Sequence, residues 1–377
     1  MKRIHFLCMA LIAVGQAAHA DWAGENGARI QAFLKAGGHT PGPGGRPVAA
    51  FDWDNTVAKN DVGDATVYWL LEHDKVLKPV SWGATSSHLT PEAVASLDAA
   101  CPGPAGKPLV TSQDNGCAAA ILSIYEDQKT TGGAAAFKKD FHADWLEPAY
   151  GWMAALLAGY TPAQVRKFAD EVIEAGQTAA VGAKKKIAGR EVEGYLRVYP
   201  EMKALIAGLR AAHFDVWIVS ASPQPLVEVF ARRVGVPPAH VIGIRSTLDS
   251  NGKMTAKFQA CGEAGEGNQD LITYRQGKRC WINQVIFGVM DPKKMMEQPS
   301  TTSLAAGDSD TDVFFVKDAR DLRVVLNRNK AELMCNAYAN TDGKWLVNPM
   351  FISAKSKKKE PYSCKAYGLP DQEDKVF

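Results

Sequence analysis

The sequence predicts an α/β protein: a doubly wound parallel sheet with an inserted α-helical cap domain. Three observations lead there. From residue 196 to 330 short apolar runs alternate with helical stretches, the rhythm of parallel strands joined by helices. An earlier apolar run, beginning at Val48, stands apart from these and is bounded upstream by Pro41–Gly45 and Pro47. Between the two lie roughly 130 residues of largely helical pattern, far more than a single crossover needs.

Taken in order, residues 1–20 read as a signal peptide. Lys2 and Arg3 precede an apolar stretch over 4–14, and Ala18-His-Ala20 is a small-x-small site predicting cleavage after Ala20. A helix over 26–36 leads through a Gly/Pro linker to the first strand. A helix over 64–77 carries Val67, Leu70 and Leu71 at helical spacing. Thr90-Pro91 and Thr161-Pro162 each set a cap residue before a proline at the first helical position. Val165, Phe168, Ala169, Val172 and Ile173 fall on one face of the second of these helices, and 118–125 and 152–157 add further helical stretches.

The alternating rhythm resumes with a helix over 202–212 and a strand over 213–219 that runs into Ser220. A helix follows over 226–234, then a strand over 241–245 and a hairpin turn at Asn251-Gly252. Residues 273–289 carry Lys278 near a helix start. A short strand over 303–306 runs into Gly307-Asp-Ser-Asp-Thr-Asp312, and 322–326 reads as the last core strand. The expected organisation is therefore core at 21–62 and 196–330, helical cap at 63–195, and a β-rich appendage at 331–377.

Composition is that of a globular chain: 46% hydrophobic, 22% charged, and no apolar run after the N-terminus long enough to span a bilayer. A formal charge of +2 gives no reason to expect nucleic acid or an anionic membrane as partner. The lysine runs at 184–186 and 357–359 read as solvated surface. Export to the periplasm or beyond puts the six cysteines after Cys8 in an oxidising compartment. Six allow fifteen connectivities, but they fall into sequence-local couples that favour Cys101–Cys117, Cys261–Cys280 and Cys335–Cys364. No spacing suggests zinc.

Asp52 and Asp54 follow the first apolar run directly, so they sit at the carboxyl end of a strand, the edge where open α/β sheets bind ligands. Ser220, Lys278, Asp308 and Asp312 stand at later strand ends or a helix start. Oxygen ligands without thiol or imidazole select a hard cation, ordinarily Mg²⁺. Such a cage with one ammonium and one hydroxyl suits a phosphoryl group.

Phe51-Asp-Trp-Asp-Asn-Thr56 resembles the first motif of the haloacid dehalogenase superfamily. Val219-Ser220, Lys278 after Gly277, and Gly307-Asp-Ser-Asp-Thr-Asp312 resemble its second, third and fourth. The resemblance implies Asp52 as nucleophile and Asp54 as proton donor and acceptor. It implies Ser220 and Lys278 as phosphoryl ligands, and Mg²⁺ held by Asp52, Asp54 (through its carbonyl) and Asp308, with Asp312 behind them. Thr56 belongs to the first motif and is a candidate substrate contact.

The second acid, Asp54, favours phosphate esters, since a halide leaving group needs no proton. The insertion resembles the cap of phosphoserine-phosphatase-like members. Glu147-Pro148, the helical stretch from Trp152 and residues 157–165 resemble the cap of secreted bacterial phosphorylcholine phosphatases. Aromatic faces near acids suit a quaternary ammonium, which makes Trp53, Trp145, Tyr150 and Trp152 candidates for substrate binding; their packing the cap core is the open alternative. The substrate implied is a small-molecule phosphate ester, phosphocholine foremost. The alternatives are phosphoserine, a broad range of phosphomonoesters, or ligand binding without turnover.

Overall fold

The structure, a computed structural model, describes residues 22–113 and 116–375. The signal segment expected over 1–20 lies outside the described residues. No helix among the described residues is long and apolar enough to cross a membrane.

Six strands form one sheet in the spatial order Trp345–Pro349, Leu322–Asn327, Leu304–Gly307, Val48–Phe51, Asp215–Pro223, Val241–Ile244. Every pairing in it is parallel. Val48–Phe51, Leu304–Gly307 and Val241–Ile244 are buried at every position, as continuous apolar strands must be when both faces of a sheet are covered. The first strand lies between the two that follow it in the site: Phe51 stands level with Ala306 on one side and Ile218 on the other. The strand ends carrying Asp52, Ser220 and Asp308 therefore meet at one edge.

Among the described residues six α-helices separate the first strand from Asp215–Pro223: Val62–Glu72, Pro91–Ala100, Gly116–Asp127, Pro148–Ala155, Pro162–Thr178 and, leading into the strand, Pro200–Ala211. The expected caps are in place. Thr161 Oγ1 accepts the Gln164 amide at 3.3 Å while the Gln164 side chain accepts the Thr161 amide at 2.9 Å, a capping box. Val165, Ala169, Val172 and Ile173 are buried, and Phe168 packs on Trp69.

The helical insertion is fastened to the sheet at more than its two ends. The hairpin Ser246–Leu248/Met254–Phe258 exchanges backbone hydrogen bonds with Gly159 and Tyr160 through Met254. Gln269 accepts the Ser87 amide at 2.7 Å, and the amide of Ile272 donates to the Trp145 carbonyl at 3.0 Å. His88 bridges Asp140 and Asp270.

Three features depart from the sequence reading. Lys184–Ile187 and Arg190–Glu193 pair as an antiparallel hairpin instead of continuing the helical region. Its turn needs positive φ at both central residues, met by Ala188 at 47° and Gly189 at 78°; an alanine there conceals the signal. The strand at 215–223 runs past Ser220, so that side chain projects from the strand itself. Finally, the segment after 331 is no appendage. It forms the helix Ala331–Ala339 and the sheet-edge strand Trp345–Pro349, register-paired with Arg323–Asn327. A closing Asn-Pro is compatible with a strand that has a neighbour on one side only.

All three expected disulfides are formed, with sequence separations of 16, 19 and 29 residues. Cys335–Cys364 ties the helix Ala331–Ala339 to the tail, and Cys261–Cys280 anchors the helix that carries Lys278. Replacing Cys335 and Cys364 together by alanine should remove about 3–4 kcal/mol of stability on the chain-entropy account. Urea unfolding of the oxidised proteins reads this directly, and an unchanged midpoint would count against a stabilising role for that bond.

Candidate active site

A tight turn delivers the first two acids. The Trp53 carbonyl accepts the amides of Thr56, Val57 and Ala58 at 3.3, 2.9 and 3.1 Å. The turn passes through Asn55 at φ 60°, a left-handed conformation that asparagine adopts more readily than most residues. Asp52 thus stays at the sheet edge while Asp54 turns toward the helix Val62–Glu72. There Asp54 Oδ1 accepts the Val62 amide at 2.7 Å, and Oδ2 accepts the hydroxyls of Ser220 at 3.2 Å and Ser222 at 3.0 Å.

Lys278 is fully buried, and its Nζ donates to Asp52 Oδ1 and Asp312 Oδ1, both at 2.7 Å. Gly277 permits this position: a Cβ there would lie 1.9 Å from the Ile272 carbonyl oxygen. Arg279, the neighbouring cation, points elsewhere and pairs with Asp318 at 2.6 and 2.7 Å. Asp312 uses its other oxygen to accept the amides of Asp308 and Ser309. Asp308 accepts Thr56 Oγ1 at 2.9 Å and the Arg328 guanidinium at 2.8 Å. Thr56 therefore orients Asp308.

Burial governs the electrostatics. It is the largest force raising the Asp52 carboxyl, followed by Asp312, with Lys278 pulling the other way. Asp54 is raised well above the carboxylate range by burial and then by Asp61, against the Val62 amide and the two serines. Asp308 is raised by burial and opposed by Arg328. Burial alone would lower Lys278, but Asp312 and Asp52 outweigh it and hold the ammonium protonated.

Carboxylate oxygens of Asp52, Asp308 and Asp312 lie within 4.8 Å of one another, beside a cavity of about 30 Å³ walled in part by Asp52, Asp54 and Asp308. An all-oxygen donor set, carboxyls in excess of cations and an ion-sized space fit a hard divalent cation. Asp312, with its oxygens occupied by Lys278 and two amides, fits the role of support behind the ligands.

Of the aromatic candidates, the structure brings only Tyr150 to the site, where it lines the same small cavity. Trp53 is fully buried and packs on Phe230. Trp145 stacks on His142 and donates to Gln276 at 2.7 Å. Trp152 is fully buried and donates to Thr85 at 2.9 Å. Trp145 and Trp152 brace the insertion, each indole N–H held by a hydrogen bond, while Trp53 packs in the core with its buried indole N–H lacking a hydrogen-bond partner among the described residues.

Sequence reasoning missed several groups. Ser222 lies two residues beyond Ser220 on one strand, hence on the same face, a spacing that could have exposed it. Arg328 follows the strand Leu322–Asn327 directly, at the same sheet edge as the acids. Asp61 caps the helix Val62–Glu72 through the amides of Gly63 and Asp64. Asp64 accepts the Tyr125 hydroxyl at 2.6 Å, a contact between distant helices that no local pattern announces.

Residues 121–281 match the family model for haloacid dehalogenase-like hydrolases, a span that includes Ser220 and Lys278. Among solved structures, a conserved protein of unknown function from Anaerococcus prevotii is similar with a TM-score of 0.57 and 21% identity. It covers 87% of this chain and 92% of its own, and this likeness shows the fold. A protein of unknown function from Bordetella pertussis gives 0.47 and 16% identity over 81% and 99%. A phosphoserine phosphohydrolase-like protein from Francisella tularensis gives 0.36 and 12% over 75% and 88%. No curated protein matches the chain.

Burial, then Asp61, pushes Asp64 from 3.8 up to about 8. A carboxyl whose folded value is raised binds its proton more tightly in the native state, so its contribution to stability falls as pH rises from about 4 to about 8. Asp64→Asn, which mimics the protonated form, should therefore raise Tm at pH 8, with the gain disappearing near pH 4. An equal shift at both values would contradict the assignment.

Proposed function

We propose that this chain, a haloacid dehalogenase-like hydrolase, cleaves small phosphate monoesters through an aspartyl-phosphate formed on Asp52. The observation that carries this is Asp54. A carboxyl that burial raises well above its ordinary range holds its proton more readily than a free one, and the two serines and the Val62 amide fix its direction beside the nucleophile.

Asp52 Oδ1 is engaged by Lys278, and its second oxygen makes no hydrogen bond among the described residues, leaving a lone pair for attack on phosphorus. As the Asp52–phosphorus bond forms, the ester P–O bond breaks and Asp54 transfers its proton to the departing alkoxide. Asp54, now a carboxylate, takes a proton from the water that attacks the same phosphorus. This releases inorganic phosphate and restores Asp52. Ser220 and Lys278 steady the phosphoryl oxygens at the strand end. Mg²⁺ held by Asp52, Asp308 and the Asp54 carbonyl would supply the positive charge that two protein cations cannot provide alone.

The leaving group is phosphocholine's choline or a similar small alcohol. In support, a cavity of about 640 Å³ adjoins the acids at Tyr150 and Arg328 and is walled by Asp64, Glu126, Glu147 and Tyr125. Carboxyl groups and phenol rings offer an ammonium acceptors and aromatic faces that an apolar pocket would not. Export is supported by the pairing of all six cysteines after Cys8.

Phosphate release with Mg²⁺ from phosphocholine, phosphoethanolamine, phosphoserine and p-nitrophenyl phosphate tests the reading. A kcat/KM for phosphocholine at least tenfold above the others is expected; equal rates would remove the ammonium pocket, and no release from any would remove the hydrolase. Asp52→Asn should abolish turnover in a folded protein. Asp54→Asn should slow alkyl phosphates by about 10²-fold or more and p-nitrophenyl phosphate less, since that leaving group needs no proton although the attacking water still loses its base. Equal losses would contradict the acid role.

A further inference from the structure

A second cavity, of about 600 Å³, meets the site at Arg328 from the other side. One wall holds Lys59, on the two-residue strand Ala58–Lys59 that follows the catalytic turn. Lys59 is only 8% exposed, yet its ammonium makes no hydrogen bond or ion pair among the described residues. Its charged neighbours aggravate its position: after burial itself, Lys355 and Arg328 are what most disfavour its protonated form, with Glu193 and Asp308 compensating in part. Those two acids already have cations of their own, Glu193 in Lys184 and Asp308 in Arg328. The other carboxylates near the acids are likewise engaged. Glu72 pairs with Lys185, Asp61 accepts two helix amides, and Asp64 accepts Tyr125. Glu171 and Glu174 lie on the exposed rim.

The Lys59 ammonium is not among the fully buried unpartnered atoms and its residue lines the cavity, so a largely buried, unpaired charge is left to be matched by an anion arriving there. We propose that Lys59, Arg328 and Lys355 form an anion subsite that takes a phosphate or carboxylate group beside the catalytic acids. Arg328 links the two sites, since it contacts Asp308 and lines both large cavities. The anion is either a second acidic group on the substrate or a separate ion such as released phosphate. Only the first alternative rests on the phosphatase reading.

Calorimetric titration of inorganic phosphate into the metal-free protein, freed of chelator, isolates the subsite, because without metal the catalytic acids repel the ion. One phosphate per chain is expected. Lys59→Met should weaken it at least tenfold and raise Tm in phosphate-free buffer, while Lys355→Met should weaken it at least threefold. No saturable binding would overturn the proposal. So would a Lys59→Met protein that binds phosphate normally and melts lower, the behaviour of a structural counter-charge. If Lys59→Met does not fold, Lys59→Gln and Lys355→Met carry the same reading.

The source of the anion follows from the ratio of kcat/KM for phosphoglycolate over ethyl phosphate. A tenfold fall in that ratio with Lys59→Met places the anion on the substrate. An unchanged ratio with lost phosphate binding makes it a separate ion. Absence of phosphate release from both esters would count against the phosphatase reading and leave the calorimetry standing.

Discussion

Two hydrogen bonds from one buried ammonium underlie the rest of the molecule. Lys278 joins Asp52 and Asp312, which lie 226 and 34 residues from it in sequence, and thereby brings the first and last acidic stretches to one point. Asp52 is forced upward by burial and then by Asp312, with Lys278 pulling the other way; the shared cation is what lets the two carboxyls approach. Removing one partner of such a buried cluster strands the remaining charges, at a cost of about 3–5 kcal/mol. The arrangement explains local details that have no other purpose, such as the glycine at 277.

A site of this kind lowers the stability of the chain that carries it. Enclosed acids at 52, 54, 61, 64 and 308 all have carboxyls raised largely by burial. The surroundings are correspondingly rigid: a sheet covered on both faces, three disulfides, and an insertion laced to the sheet through Met254, Gln269 and His88. Rigidity around destabilised polar groups is the usual compromise between stability and activity.

The parallel core and its acidic edge were legible because they obey local rules. Apolar runs end where Asp52, Ser220 and Asp308 begin, cap residues precede prolines at 90 and 161, and glycine marks the start of the lysine helix. What stayed hidden depends on long-range pairing or on exceptions to residue preference. The hairpin at 184–193 turns through an alanine at positive φ, so its loop carries only one of the two glycine-like signals. The strand Trp345–Pro349 is short and ends in proline, and only its partner at 322–327 makes it a strand. The tryptophans at 53, 145 and 152 carry the right chemistry for a cation pocket, but an indole is also the largest filler a core can use. Lys59 and Arg328 lie outside any recurring spacing; their significance is in what surrounds them.

The position of Val48–Phe51 in the sheet also sets the order in which the protein becomes itself. This strand is made before both of its sheet neighbours, Asp215–Pro223 and Leu304–Gly307. Contacts so distant along the chain form slowly, because loop closure must precede any gain from pairing. A nascent chain that has not yet reached residue 304 carries Asp52 and Asp54 beside an unpaired strand edge, with neither Asp308 nor Asp312 to complete the cluster. Asp52 is synthesised well before Asp308 and Asp312, and the acidic cluster is complete only once the strand Leu304–Gly307 has been made.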